Sequence, residues 1–185
     1  MTPLDLLARE LGVSGRTLRR AVNEGALRAA RPSPRTFEMS VGESVYARRR
    51  WPLLATLRAA LRTERNVRFA MLFGSAARGE DTEGSDIDVI VSLRDPGFAR
   101  VSDLRLNLEE ALGRVVDVVL LEETEEDPTF LAMALDDGRV LVDRENVWPG
   151  LRKRESALRR SGSRLDLARK QRALAEADRF LTGQR

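Results

Sequence analysis

The chain has 185 residues, a third of them charged, and a net charge of +3. It contains neither Cys nor His, which excludes disulfides, thiolate metal sites, thiol nucleophiles and the imidazole base that most acid–base enzymes use. Any chemistry has to run on carboxylates, hydroxyls, arginines and a hard cation.

There is no signal peptide and no apolar run of membrane length, so a cytoplasmic protein without a membrane partner is expected. The length accommodates one or two domains. The small net charge hides a segmented layout. Residues 1–65 carry 13 basic and 6 acidic side chains, residues 66–143 carry 7 and 18, and residues 144–185 carry 12 and 5. A basic–acidic–basic order points to three surfaces with different work.

Leu4, Leu7, Ala8 and Leu11 recur at helical spacing until Gly12 breaks the pattern. Ser14 stands where an N-cap belongs, and Leu18, Ala21 and Val22 form a second apolar stripe. Two short helices so arranged resemble a helix-turn-helix, with Arg16, Arg19 and Arg20 on the exposed face of the second. Leu27–Ala29 and Thr36–Met39 flank a proline-containing turn and are expected to pair as a wing, with Arg31 and Arg35 at its basic tip. The plain alternative is a small helical domain with a solvated basic face. DNA binding by residues 1–45 follows from the agreement of charge, turn and wing, and a dimer on paired half-sites follows from that.

Val41–Arg65 is expected to be helical, with Val45, Leu53, Leu54, Leu57, Ala60 and Leu61 on its apolar side and Pro52 interrupting it or starting a new helix. Its part over 46–65 would link the basic head to the acidic middle of the chain. Arg48, Arg49 and Arg50 extend the basic footprint.

Val67–Phe73 and Ile87–Val91 are short β-branched and aromatic runs, expected as strands. Gly74-Ser75 closes the first. Asp86-Ile87-Asp88 opens the second, and residues two apart on a strand share a face, so Asp86 and Asp88 present their carboxylates together. Two such carboxylates repel each other and need a shared proton or a cation. An all-oxygen cluster this small suits Mg²⁺, which completes its shell with water and substrate phosphates. A bare glycine backbone and a small hydroxyl beside it can approach phosphate oxygens.

Gly74-Ser75, ten residues, then Asp86-Ile87-Asp88, resembles the signature of the DNA polymerase beta-like nucleotidyltransferase superfamily. The fuller run, Gly74 to Glu80 followed by Ser85 to Asp88, is similar to minimal nucleotidyltransferases paired with HEPN-domain proteins. The resemblance covers about residues 66–143. It implies an α/β (α+β) domain with a mixed sheet flanked by helices, behind a winged helix-turn-helix and ahead of a helical tail over 144–185.

Further along, Asp95-Pro96-Gly97 marks a turn, Val101–Leu112 a helix, and Glu122–Asp127 an acidic loop. Val115–Leu121 is a strand with one charge, Asp117, inside an apolar run. That charge is costly without a partner, so Asp117 is expected to face Asp86 and Asp88. Its position resembles the superfamily's third catalytic carboxylate. Pro128–Leu135 is expected as a helix and Arg139–Asp143 as a closing strand. Leu167, Leu174 and Leu181, seven apart, predict a helix packed on this chain or on another subunit.

The resemblance implies transfer of a nucleoside monophosphate from an NTP, most readily ATP, to a hydroxyl. Asp86, Asp88 and Asp117 would hold Mg²⁺, and Gly74, Ser75, Arg78 and Ser85 would meet the nucleotide. Arg78 has an alternative role in a salt bridge to Glu80 or Asp81. The acceptor could be a HEPN-type partner protein, a tRNA end or an antibiotic hydroxyl; the DNA-binding head favours the first. A transcription regulator with a silent, nucleotide-sensing domain is the reading from another class.

Overall fold

The computed structural model describes residues 2–33 and 36–163. The head opens with β1 (Thr2–Pro3), α1 (Leu4–Glu10) and α2 (Gly15–Asn23). Ser14 caps α2 by accepting the Thr17 amide at 3.1 Å, and Leu4, Leu7, Leu18 and Ala21 are buried between the two helices and their surroundings. β2 (Ala30–Ser33) and β3 (Thr36–Met39) form an antiparallel hairpin, and β1 adds to β3, giving the order β1-β3-β2. The first hairpin strand begins three residues later than the Leu27–Ala29 expectation. Leu27 is 2% exposed, so it packs into the core and leaves the strand to start beyond it.

α3 (Val41–Thr63) is one 23-residue helix that continues through Pro52. Ser40 caps it by accepting the Glu43 amide at 3.1 Å. Tyr46, Ala47, Trp51, Leu54, Leu57 and Leu61 are buried along its length. The helix is therefore a shared spine and not a tether.

The second sheet is built from β4 (Val67–Leu72), β5 (Ile87–Leu93), β6 (Val116–Leu120) and β7 (Arg139–Asp143), in the order β6-β5-β4-β7. β5 and β6 run parallel; the other two pairs are antiparallel. The expected mixed sheet flanked by helices is what forms. Alternation along the strands divides two cores. Ala70, Leu72, Ile87, Val89 and Val91 face α3 and α5 (Phe98–Leu112) and join the core of the head. Phe69, Met71, Phe73 and Ile90 face the opposite side, with Leu131, Leu135, Leu151 and Leu158.

Between β4 and β5 lies the short helix α4 (Gly74–Arg78). After β6 come α6 (Leu121–Thr124) and α7 (Pro128–Asp137). The acidic stretch expected as a loop thus begins as a helical turn. Leu121 and Thr124 are buried under it, and the Thr124 hydroxyl donates to the Leu121 carbonyl at 2.7 Å. Residues 147–163 are helical. The expected leucine repeat at 167, 174 and 181 lies outside the described residues.

Head and sheet are joined by a buried pair. Arg139, 3% exposed, donates to Glu43 through both terminal nitrogens at 2.6 and 3.1 Å. Its guanidinium stacks 3.3 Å over the Tyr46 ring. It also donates to the Ala77 carbonyl at 2.6 Å and to the Ala26 carbonyl at 3.3 Å. Burial pushes the Tyr46 phenol up to about 12, and its hydroxyl donates to the Ala76 carbonyl at 3.3 Å. One side chain from the sheet therefore touches the head, the spine and the end of α4.

Candidate active site

The two strands that carry the acidic residues set their geometry. Asp88 and Asp117 are register partners on the parallel strands β5 and β6. Asp88 shares its sheet face with Ile90, and Asp117 with Val119, which is the face covered by α7 and the helix over 147–163. Asp86 precedes β5 with the same parity. Burial pushes the Asp88 carboxyl above its ordinary 3.8, and the charges of Asp117 and then Asp86 push it further; Arg78 opposes them. Asp117 and Asp86 both act on Asp88.

The glycine corner meets Asp88 directly. Gly74 has φ +70°, and a Cβ built there would fall on Asp88 Oδ2 and stand 3.2 Å from its Cγ. Only glycine allows both the left-handed backbone and this approach. The Phe73 amide donates to the Asp88 carbonyl at 3.0 Å and clamps the two strand ends together. α4 starts here without a side-chain cap, so its first amides have no intrahelical partner. The Ser75 hydroxyl, half-buried beside them, makes no hydrogen bond among the described residues.

The other expected nucleotide contacts have structural partners. Arg78 donates to Glu80 at 2.7 Å and to Asp137 of α7 at 2.9 Å; Asp81, the alternative acid for it, is engaged elsewhere. The Ser85 hydroxyl closes the 82–85 turn, accepting the Thr82 amide at 3.0 Å.

Three residues that sequence reasoning missed hold that turn. Asp81 is fully buried between Arg50 of α3 at 2.8 Å and Arg114 at 2.9 Å. Arg114 also donates to the Thr82 carbonyl at 3.0 Å and the Ser85 carbonyl at 2.6 Å. It sits three residues before Asp117 and grips the residue before Asp86. It is thus a positioning residue for both acids. Its only sequence signal is one arginine at a strand entrance.

The basic side chains of the head are less uniform than their sequence. Arg19 pairs with Asp5 at 3.3 Å and Arg20 with Glu24 at 2.6 Å. Arg31 lies 5.3 Å from the Phe37 ring centre. Arg35 lies outside the described residues. Arg48 pairs with Glu10 at 2.8 Å, while Arg50 points inward to Asp81. The triplet at 48–50 is therefore not one surface.

Asp86, Asp88 and Asp117 supply hard oxygens, and Asp88 is held in a like-charge field that a cation would relieve. Among the described residues, however, no three acidic side chains gather closely enough to hold a metal ion by themselves.

A mixed sheet, a strained glycine corner and facing aspartates define a nucleotidyltransferase domain. Residues 55–147, half of the chain, match the family described as polymerase beta nucleotidyltransferases, and the chain belongs to that family. The match begins inside α3 and leaves the head outside it. Among relatives, the protein adenylyltransferase MntA of Thermococcus cleftensis is 36% identical over 69 residues, 37% of this chain and 70% of that one. A Methanocaldococcus jannaschii chain provisionally named a protein adenylyltransferase is 42% identical over 62 residues, 32% of this chain and 62% of that one. The chain spans less than two thirds of the length of the M. jannaschii relatives it matches. A crystal structure of a toxin–antitoxin with AMP-PNP aligns with a TM-score of 0.51 at 20% identity, covering 67% of this chain and 96% of that one. This likeness shows the fold. Among the described residues no helix is long and apolar enough to cross a membrane.

Proposed function

We propose that this nucleotidyltransferase moves AMP from ATP to a hydroxyl on a partner protein, within a toxin–antitoxin pair whose expression its head controls by binding DNA. The contact between Gly74 and Asp88, opposite Asp117, carries the reaction half of this reading. The names of the relatives carry the acceptor half, and the basic two-helix and hairpin head supports the DNA half.

The free amides at the start of α4 and the Ser75 hydroxyl bind the nucleotide's phosphate oxygens. Asp86, Asp88 and Asp117 would hold Mg²⁺, which would supply charge stabilisation for the leaving pyrophosphate and lower the pKa of the acceptor hydroxyl. An aspartate of this cluster can take the acceptor proton, since the chain has no His for the task. Arg78, held by Glu80 and Asp137, remains near enough to lower the charge of the cluster.

The test uses the full chain with Mg²⁺, α-labelled ATP and a candidate partner, normally the product of the adjacent gene. Label should pass to the partner, and an Asp86→Ala/Asp88→Ala variant should lose transfer by about a thousandfold or more. ATP binding with no transfer to protein or tRNA acceptors, together with operator binding, would instead establish the nucleotide-sensing regulator. Transfer to a tRNA end alone would replace the acceptor.

A further inference from the structure

A second charged site lies away from the acidic corner. A groove of about 250 Å³ runs between α2 and α3, lined by Arg16, Thr17 and Arg20 on one side and Trp51, Arg58 and Arg62 on the other. Ala55 and Ala59 form its floor, and their small side chains keep it open.

Four guanidinium groups meet in this space and one carboxylate serves three of them. Glu24 accepts from Arg20 at 2.6 Å, from Arg62 at 3.4 Å and from Arg58. Arg16 has no ion pair among the described residues. Burial alone would raise the Glu24 carboxyl, but hydrogen bonds from Arg20 and Arg58 hold it below its ordinary 4.5, so it is ionised at neutral pH. The groove still carries an excess of three positive charges. Arg58 is the costliest of them: its side chain is 6% exposed. Burial pulls its pKa down, Glu24 holds it up, and Arg62 and Arg20 pull it down further. Arg20 and Arg62 reach the same carboxylate from the solvent side, while Arg58 approaches it from the buried side.

We propose that this groove is a phosphate-binding site. Planar guanidinium forks match the oxygens of a phosphoryl group, and an excess of positive charge beyond one Glu calls for an anion of more than single charge or a repeating one. The space holds a phosphoryl group with part of its sugar. Two sources share that chemistry: the backbone of a DNA duplex and the phosphates of a free nucleotide. The site is independent of the transfer reaction. It deepens the DNA-binding reading only if the duplex is the source.

The experiment compares wild type with Arg16→Ala/Arg62→Ala, which leaves the buried Arg58–Glu24 pair in place. A control, Arg65→Ala/Arg100→Ala, removes the same charge elsewhere. All are titrated in EDTA, so that the acidic corner is silent, with a labelled mixed-sequence duplex over a salt series, and separately with ATP and inorganic phosphate. The groove variant should bind one ligand at least about tenfold more weakly, and for the duplex the salt dependence should flatten by about two phosphate contacts. The control should keep wild-type affinity.

Loss for the duplex alone assigns a backbone phosphate. Loss for ATP and phosphate alone assigns a free nucleotide. Unchanged affinity for every ligand, an equal loss in the control, or no binding by wild type overturns the site. Intact duplex binding in the groove variant, with ATP and phosphate binding also unchanged, removes this site while leaving a DNA-binding head standing, so the two failures are separable.

Discussion

The acidic corner and the arginine groove are mirror images with different construction. Each gathers like charges and leaves them short of counter-ions. In the corner the charges are short side chains placed by strand register: Asp88 stands opposite Asp117, and Gly74 presses on Asp88. In the groove they are long side chains placed by helix packing and drawn together by Glu24. A register can hold repelling groups in place because sliding a strand would turn its whole buried face outward. Helix-borne arginines have no such constraint and need a shared carboxylate. The corner's charges are therefore held rigidly, whereas the groove's are held only by the counter-ion they share.

Arg139 joins the head to the sheet, and breaking that junction is the largest test of how separable they are. Arg139→Met leaves Glu43 buried and unpaired and frees the carbonyls of Ala26 and Ala77. The expected loss is roughly 3–5 kcal/mol in urea unfolding. Arg139→Met/Glu43→Leu should recover part of it, because no lone charge remains. If Arg139→Met left both the unfolding midpoint and nucleotide binding unchanged, head and catalytic domain would be independent units.

A smaller effect separates backbone strain from charge in the corner itself. Gly74→Ala places a methyl on the Asp88 carboxylate in a left-handed backbone. The expected cost is on the order of 1–3 kcal/mol, with a larger loss of transfer because Asp88 must turn away. Denaturation and transfer assays on the same preparation check both. An alanine variant with wild-type transfer would mean that the corner does not need this contact.

How much of this was legible in the chain differs between the regions for the same reason. Asp86, Asp88 and the Gly74-Ser75 corner are encoded locally, by spacing between two apolar runs. Asp117 does stand in register with Asp88, but it is exposed, so the cost of a charge buried in an apolar strand, which singled it out, is not what places it. β7 matched its expected limits, Arg139–Asp143. The partners that hold these pieces were not legible. Arg139 and Glu43 are 96 residues apart, and no local pattern links them. Arg50 looked like one of three solvated arginines, yet it ends against the buried Asp81. The groove was hidden likewise: Arg16 and Arg20 fell on a face marked for DNA, but Arg58 and Arg62 had no reason to be joined to them until α3 proved continuous through Pro52.

The smallest effect probes the corner's need for a cation without any assay of transfer. The Asp88 carboxyl lies above its ordinary 3.8 in the folded protein, chiefly through burial and then through Asp117 and Asp86. The folded state therefore holds its proton more tightly than the unfolded state does. Stability is fullest below 3.8 and falls as pH rises through the raised value, so at neutral pH ionised Asp88 destabilises the fold. Asp88→Asn removes that ionisation. Its melting temperature should exceed wild type at pH 7, and the gap should close as pH drops below 3.8. Adding Mg²⁺ at neutral pH should raise wild type towards the variant and move the variant less, because a cation neutralises the repulsion that the substitution removes. Parallel pH profiles would mean that Asp88 is relieved by solvent, and the case for a cation-seeking corner would then rest on Asp86 and Asp117 alone.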